Sequence, residues 1–169
     1  KEGATINMSK YSYIVVEDDG QLVIEGTETN RVTITGSDWG KYTNNSGWGY
    51  GLDLNSSVAS TIKYADIIND NDNSSEWMIA VRDGSIIENS SISGGREGVY
   101  LEDGTIKDSK IHSFRRKALS LYNSSTATGN EIYNSQTESN NQPYVQVYTS
   151  STFKNNRIYS TSNTTKNWA

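Results

Sequence analysis

Aromatic, acidic and basic side chains recur in this chain at matching places in successive copies of one short phrase. The phrase reads apolar–any–apolar: Leu52/Leu54, Ile79/Val81, Val99/Leu101, Leu119/Leu121 and Val145/Val147. If each copy is a strand with those residues inward, the intervening outward row is Asp53, Ala80, Tyr100, Ser120 and Gln146. The next outward row is Asn55, Arg82, Glu102, Tyr122 and Tyr148. Sugars bind by C–H contact on aromatic rings and by hydrogen bonds to polar side chains. Tyr100, Tyr122, Tyr148, Arg82, Glu102 and Asp53 are therefore the candidate ligand-binding residues, on a shallow carbohydrate-type surface. The competing reading is structural, because tyrosine is also a favourable exposed strand residue.

Catalytic chemistry has fewer candidates. A polysaccharide lyase needs a base and a means of neutralising a uronate carboxylate; Asp53, Arg82, Glu102 and the run Arg115-Arg116-Lys117 supply such parts. Glycoside hydrolysis needs two carboxylates about 5–9.5 Å apart, and the spacing places no such pair. No residue is assigned as catalytic. Asp66, Asp70 and Asp72 are an acidic run that could offer oxygens to calcium. The EF-hand pattern fails there, with neither its glycine nor its glutamate, and a solvated turn is preferred. No metal or cofactor is assigned. His112 is the only histidine and is expected at a corner, which disfavours a Ser-His-Asp site. The segment Gly36–Tyr50 holds Trp39, Tyr42, Trp48 and Tyr50. A long aromatic loop is often functional, but covering a sheet edge is the preferred role here.

These residues are positioned by a repeat. A second phrase pairs an apolar residue with isoleucine five positions on: Ile62/Ile67, Ile87/Ile92, Ile106/Ile111, Ala127/Ile132 and Phe153/Ile158. From Ile67 onward those isoleucines are 25, 19, 21 and 26 residues apart. Repeats of this length are stacked units that cannot bury an apolar face alone. Apolar and polar residues alternate with period two, and Ile, Val, Thr and Tyr dominate, as strands prefer. Turn formers fill the gaps, among them Asp83-Gly84, Gly94-Gly95 and Asp103-Gly104. The expected fold is all-β: a parallel β-helix of about six coils with three short strands each.

Coil one draws on Ile6/Met8, Ile14/Val16 and Leu22/Ile24; coil two on Val32/Ile34, Leu52/Leu54 and Ile62. Residues 36–50 are then an insertion, 160–169 a polar tail, and 1–169 a single domain. Stacking also predicts two outward charge rows. Lys63, Glu88 and Lys107 alternate in sign, as do Lys110, Glu131 and Arg157 after Asp66 and Ser91. Opposite charges directly across a sheet are favourable, like charges are not. Asn89, Asp108 and Asn155 fall at equivalent turn positions, with Tyr64 and Gly129, and are expected to bond the neighbouring coil's backbone.

The bulk properties narrow the partners. The chain has 169 residues, a net charge of −5 and no cysteine. A basic footprint for nucleic acid is missing. No disulfide framework or thiol chemistry is open to it. No apolar run approaches the roughly 20 residues of a bilayer span. The start at Lys1-Glu2-Gly3 leads at once into strand-like Thr5-Ile6-Asn7-Met8, as expected of a piece of something longer.

The stretch Gly20-Gln21-Leu22-Val23-Ile24-Glu25-Gly26-Thr27 through Asn30-Arg31-Val32-Thr33-Ile34-Thr35-Gly36, with Asp38-Trp39-Gly40 after it, resembles the opening of secreted right-handed parallel β-helix proteins of bacteria. Ser60-Thr61-Ile62-Lys63-Tyr64-Ala65-Asp66-Ile67 resembles their next coil, and the later coils resemble the pectate-lyase-like repeat. Arg31 departs from the family, which often has proline there. The resemblance implies a right-handed coil, in keeping with parallel crossovers generally. It also implies secretion or a cell-surface location. The catalytic motifs of β-helix pectin hydrolases are absent. The expected role is thus a non-catalytic scaffold or adhesin-like module that contacts carbohydrate. The alternative is a polysaccharide lyase or hydrolase acting on an acidic polysaccharide. An ice-binding face would need Thr-x-Thr rows, and only Thr33/Thr35 comes near. Unpaired strand edges at the coil ends favour neighbouring domains or end-to-end association.

Overall fold

A computed structural model describes residues 1–40, 42–43, 49–70, 77–135 and 144–160. The strands build three parallel sheets that wind as a right-handed β-helix of six coils plus one further strand. The first sheet stacks Thr5–Met8, Val32–Gly36, Ala65–Asn69, Ser91–Gly94, Lys110–His112, Glu131–Tyr133 and Arg157–Tyr159. The second stacks Ile14–Val16, Gly49–Leu54, Trp77–Arg82, Val99–Glu102, Leu119–Tyr122 and Val145–Val147. The third stacks Val23–Glu25, Thr61–Lys63, Ile86–Glu88, Thr105–Lys107, Thr126–Thr128 and Thr152–Lys154. Chain order runs first, second, third sheet in every coil, and no helix occurs among the described residues.

Inward isoleucines lie coil over coil in the expected register. Ile34, Ile67, Ile92, Ile111 and Ile132 are paired neighbours and all fully buried. Ile62, Ile87, Ile106 and Ala127 form a second such column. Each side chain in these columns has an isoleucine as its neighbour, about 4.8 Å away along the axis. Single branched residues from successive layers thereby fill the interior at core density.

One outward charge row forms as the alternation predicted. Lys63 Nζ and Lys107 Nζ reach the two oxygens of Glu88 at 2.7 and 2.5 Å. These two lysines hold the Glu88 carboxyl below its usual range. The second row is in register too, with Lys110, Glu131 and Arg157 on successive strands. There Tyr159 donates its hydroxyl to Glu131 Oε2 at 3.3 Å.

The turn ladder differs from expectation by one residue. Tyr64, Asn89, Asp108, Gly129 and Asn155 do share one turn position, and all have positive φ. Asparagine, aspartate and glycine tolerate that left-handed backbone best. Yet these residues lie outside, and it is the next residue that turns in. The amide of Ala65 donates to Ser90 Oγ, Ser90 to Ser109 Oγ, Ser109 to Asn130 Oδ1 and Asn130 to Asn156 Oδ1, at 2.9–3.1 Å. A single corner residue reverses side-chain parity, which moves the ladder one step along. Ser90, Ser109 and Asn130 are buried, so each corner amide finds its acceptor in the layer below. Asn130→Ala would orphan the Ser109 amide and the Ile106 carbonyl bonded to Asn130 Nδ2. We expect a loss of about 1–3 kcal/mol, read from urea unfolding.

Arg31 is fixed by three hydrogen bonds. Its guanidinium bonds Asp66 Oδ1 at 2.8 Å, the Ala65 carbonyl at 2.9 Å and the Asn89 carbonyl at 3.0 Å. One side chain therefore ties the corner of its own coil to two later ones.

Candidate functional site

The strands of the second sheet place the six singled-out residues on one outer face. Register sets Asp53, Ala80, Tyr100, Ser120 and Gln146 in one row. Arg82, Glu102 and Tyr122 form the next row, and Tyr148 follows directly after the last strand. The six resolve into two groups.

The first group is an ion triad across three coils. Arg82 donates from Nε to Asp53 Oδ1 at 3.1 Å and from Nη1 to Glu102 Oε2 at 2.5 Å. The guanidinium also lies 5.0 Å from the Tyr50 ring centre and 5.3 Å from that of Tyr100. The Asp53 side chain is only 6% exposed, against 15% for Arg82 and 33% for Glu102. Burial pushes the Asp53 carboxyl up in pKa, and Arg82 pulls it back only in part. One guanidinium thus answers two carboxylates, tying Asp53 and Glu102 together through Arg82. Glu102 Oε1 further accepts from Asn123 Nδ2 at 3.3 Å.

The second group is an aromatic ladder. The Tyr100 and Tyr122 ring centres are 5.0 Å apart, and Tyr122 and Tyr148 stack at 4.2 Å with planes 14° apart. The spacing is the coil rise, because in-register parallel layers repeat every position at that distance. Burial, reinforced by Glu102, pushes the Tyr100 hydroxyl up to about 12. Burial and the Tyr148 hydroxyl raise Tyr122 as well. Both hydroxyls stay protonated at neutral pH and can donate.

The face is less open than the sequence implied. Asp53, Ala80 and Ser120 are buried, and Tyr148 is exposed. Tyr50 and Trp77 are buried on the same outer side and form a small apolar cluster with Ala80 and Tyr100. Period-two alternation would turn Tyr50 and Trp77 inward. Instead the Met78 and Ile79 amides both reach the Gly98 carbonyl at 3.1 Å, a bulge-like doubling. Met78 takes the core position and Trp77 swings out. The usable signal was an aromatic residue two places before both Leu52 and Ile79. The Trp77 indole N–H is buried without a hydrogen-bond partner, beneath Lys117 Nζ at 5.3 Å from the ring centre.

A second ladder lies on the first sheet and was missed. His112 and Tyr133 stack at 4.6 Å, Tyr133 and Tyr159 at 5.1 Å. His112 ends the strand Lys110–His112 and faces outward from it, not from a corner; the corner begins at Ser113, whose φ is positive. Burial and Lys110 hold its imidazole below the usual pKa, favouring the neutral form. The signal was available: each of these residues directly follows a buried-column isoleucine.

The remaining candidates take structural positions. Trp39 is buried against the core and donates from Nε1 to the Ile68 carbonyl at 2.8 Å. Tyr42–Thr43 adds a two-residue antiparallel strand beside Gly49–Tyr50, while Trp48 lies outside the described residues. Arg116 and Lys117 approach buried Glu97 at 3.8 and 3.9 Å. Asp66 is ion-paired with Arg31, Asp70 is exposed, and Asp72 lies outside the described residues. Among the described residues, no three of Asp, Glu and His come together as metal ligands, and no helix is long and apolar enough to cross a membrane. Residues 161–169 of the expected polar tail also lie outside the described residues. Compared with protein-family models, curated proteins and solved structures, the chain finds no match.

Proposed function

We propose that this chain is a non-catalytic β-helix scaffold or adhesin-like module of a bacterial surface or secreted protein, contacting carbohydrate through Tyr100, Tyr122 and Tyr148. The observation that carries the reading is the tyrosine ladder, held over three coils by backbone register and ending in an exposed ring. A preorganised aromatic row binds without first ordering loose side chains, which lowers the entropic cost of contact. Mutual commitment of Asp53, Arg82 and Glu102 supports the non-catalytic part. The raised proton affinity of Asp53 is the one feature that favours the lyase or hydrolase alternative. Incubation with acidic polysaccharides separates the two: a steady rise in absorbance from unsaturated products would establish a lyase, and new reducing ends without that rise a hydrolase.

Removing the middle ring tests the binding reading. Tyr122→Ala takes away one ring and leaves Tyr148 without its stacking partner, an aromatic pair worth about 0.5–1.5 kcal/mol. We expect signals on a glycan array to fall about tenfold, the equivalent of about 1.4 kcal/mol. Equal signals from both proteins would remove the ladder as the site.

A further inference from the structure

The geometry points to an uncharged glycan as the ligand of this face, with one sugar ring lying on the open side of Tyr148. This rests on the carbohydrate reading above and adds the place and the chemical class.

Ring accessibility decides the place. Tyr100 has Tyr50 and Trp77 on one side and Tyr122 on the other. Tyr122 is stacked between Tyr100 and Tyr148. A stacked ring offers only its edge and hydroxyl, whereas sugar C–H groups need a face. Among the described residues Tyr148 has one ring neighbour; it is 44% exposed and follows the last strand of its sheet. Among those residues it presents the one unstacked face of this ladder.

The polar surroundings decide the class. Beside Tyr148 stand Gln146, bonded to Ser120 Oγ at 3.3 Å, and the exposed Asn123. The two side-chain amides suit sugar hydroxyls. The ion triad lies toward the Tyr100 end of the ladder, with Glu102 reaching Asn123 at 3.3 Å. There Arg82 is matched by Asp53 and Glu102 together, so the triad carries a net negative charge. Exposed Asp103 follows Glu102 and adds to it. Glu97 stands near Tyr122 with Arg116 and Lys117 beside it, and counting these, four carboxylates face three cations along the ladder among the described residues, so a uronate chain would meet net negative charge. A neutral chain meets no such opposition.

Calorimetry on the intact chain tests this. The probes are neutral tetrasaccharides of glucose, mannose, galactose and N-acetylglucosamine, and the galacturonate tetramer. The proteins are wild type, Tyr148→Ala, Tyr148→Trp and Tyr122→Ala, their folds compared by circular dichroism; the exposure of Tyr148 makes both of its substitutions structurally mild. The expected result is weak, salt-insensitive binding of at least one neutral tetramer, about tenfold weaker in Tyr148→Ala, retained in Tyr148→Trp, and absent for galacturonate. Galacturonate binding as tightly as the neutral probes, with loss in Tyr148→Ala, would overturn the uncharged class and leave the carbohydrate reading standing. Neutral binding that survives Tyr148→Ala but is lost in Tyr122→Ala would overturn the place. If no probe binds in a tyrosine-dependent way, both this inference and the reading beneath it fall.

Discussion

Arg82→Met is expected to lower stability by about 3–5 kcal/mol at neutral pH, among the largest effects of any outward-facing substitution in this chain. The change removes the cation and keeps the bulk. Asp53 is then a buried carboxylate with its bond to Arg82 Nε gone, while Glu102 still reaches water and Asn123. The cost of an uncompensated buried charge exceeds what the intact pair contributes, so the loss overstates the pair's net worth. The pH dependence follows from direction alone. Burial already raises the Asp53 carboxyl above its unfolded value, and loss of Arg82 raises it further. A raised carboxyl makes the folded state the better proton binder. Its stability is then full below the unfolded pKa and declines as pH rises through the folded one. The deficit of Arg82→Met should therefore shrink in mild acid. In Asp53→Leu/Arg82→Met it should be largely recovered at neutral pH. Urea unfolding at two pH values reads both. A deficit independent of pH, or no recovery in the double variant, would show that the triad does not hold this face together.

Ile111→Ala is expected to cost about 3–4 kcal/mol, within the range for large-to-small core changes. Ile111 is fully buried and lies between Ile92 and Ile132, so the missing atoms leave a gap that parallel-sheet backbone above and below cannot close. Ile158 continues the same column on the last strand, but is 50% exposed. Ile158→Ala should therefore cost well under half as much, although the two residues stand in matching copies of one phrase. Side-by-side unfolding of the two variants checks the comparison. Equal losses would mean that layer position does not govern burial.

Period two and the repeat made nearly all of the strand architecture legible. Apolar–any–apolar phrases, isoleucine spacing and alternating charges each select one register. A one-residue slip would turn every isoleucine outward, and the pairing of Lys63 and Lys107 with Glu88 agrees. The same parity argument sets Asp53, Tyr100 and Ser120 in one row. It failed where the backbone leaves the regular strand. At the left-handed corner residues it missed a reversal, which put the polar ladder on Ser90, Ser109 and Asn130. At the bulge near Met78 strict alternation breaks as well, and Trp77 lies outward.

Composition and spacing alone determined a parallel coil, its layers, its inward columns and the set of residues on the second sheet. These follow from local alternation repeated at a coil-length interval, information that a linear chain carries openly. Tertiary structure alone decided that Arg82 is spent on Asp53 and Glu102, that three tyrosines share their faces, and that among the described residues of this ladder Tyr148 alone keeps one open. Such outcomes depend on side-chain direction and on what lies one coil away. Those distances of a few ångströms join residues some twenty or more positions apart, and no short-range pattern records them.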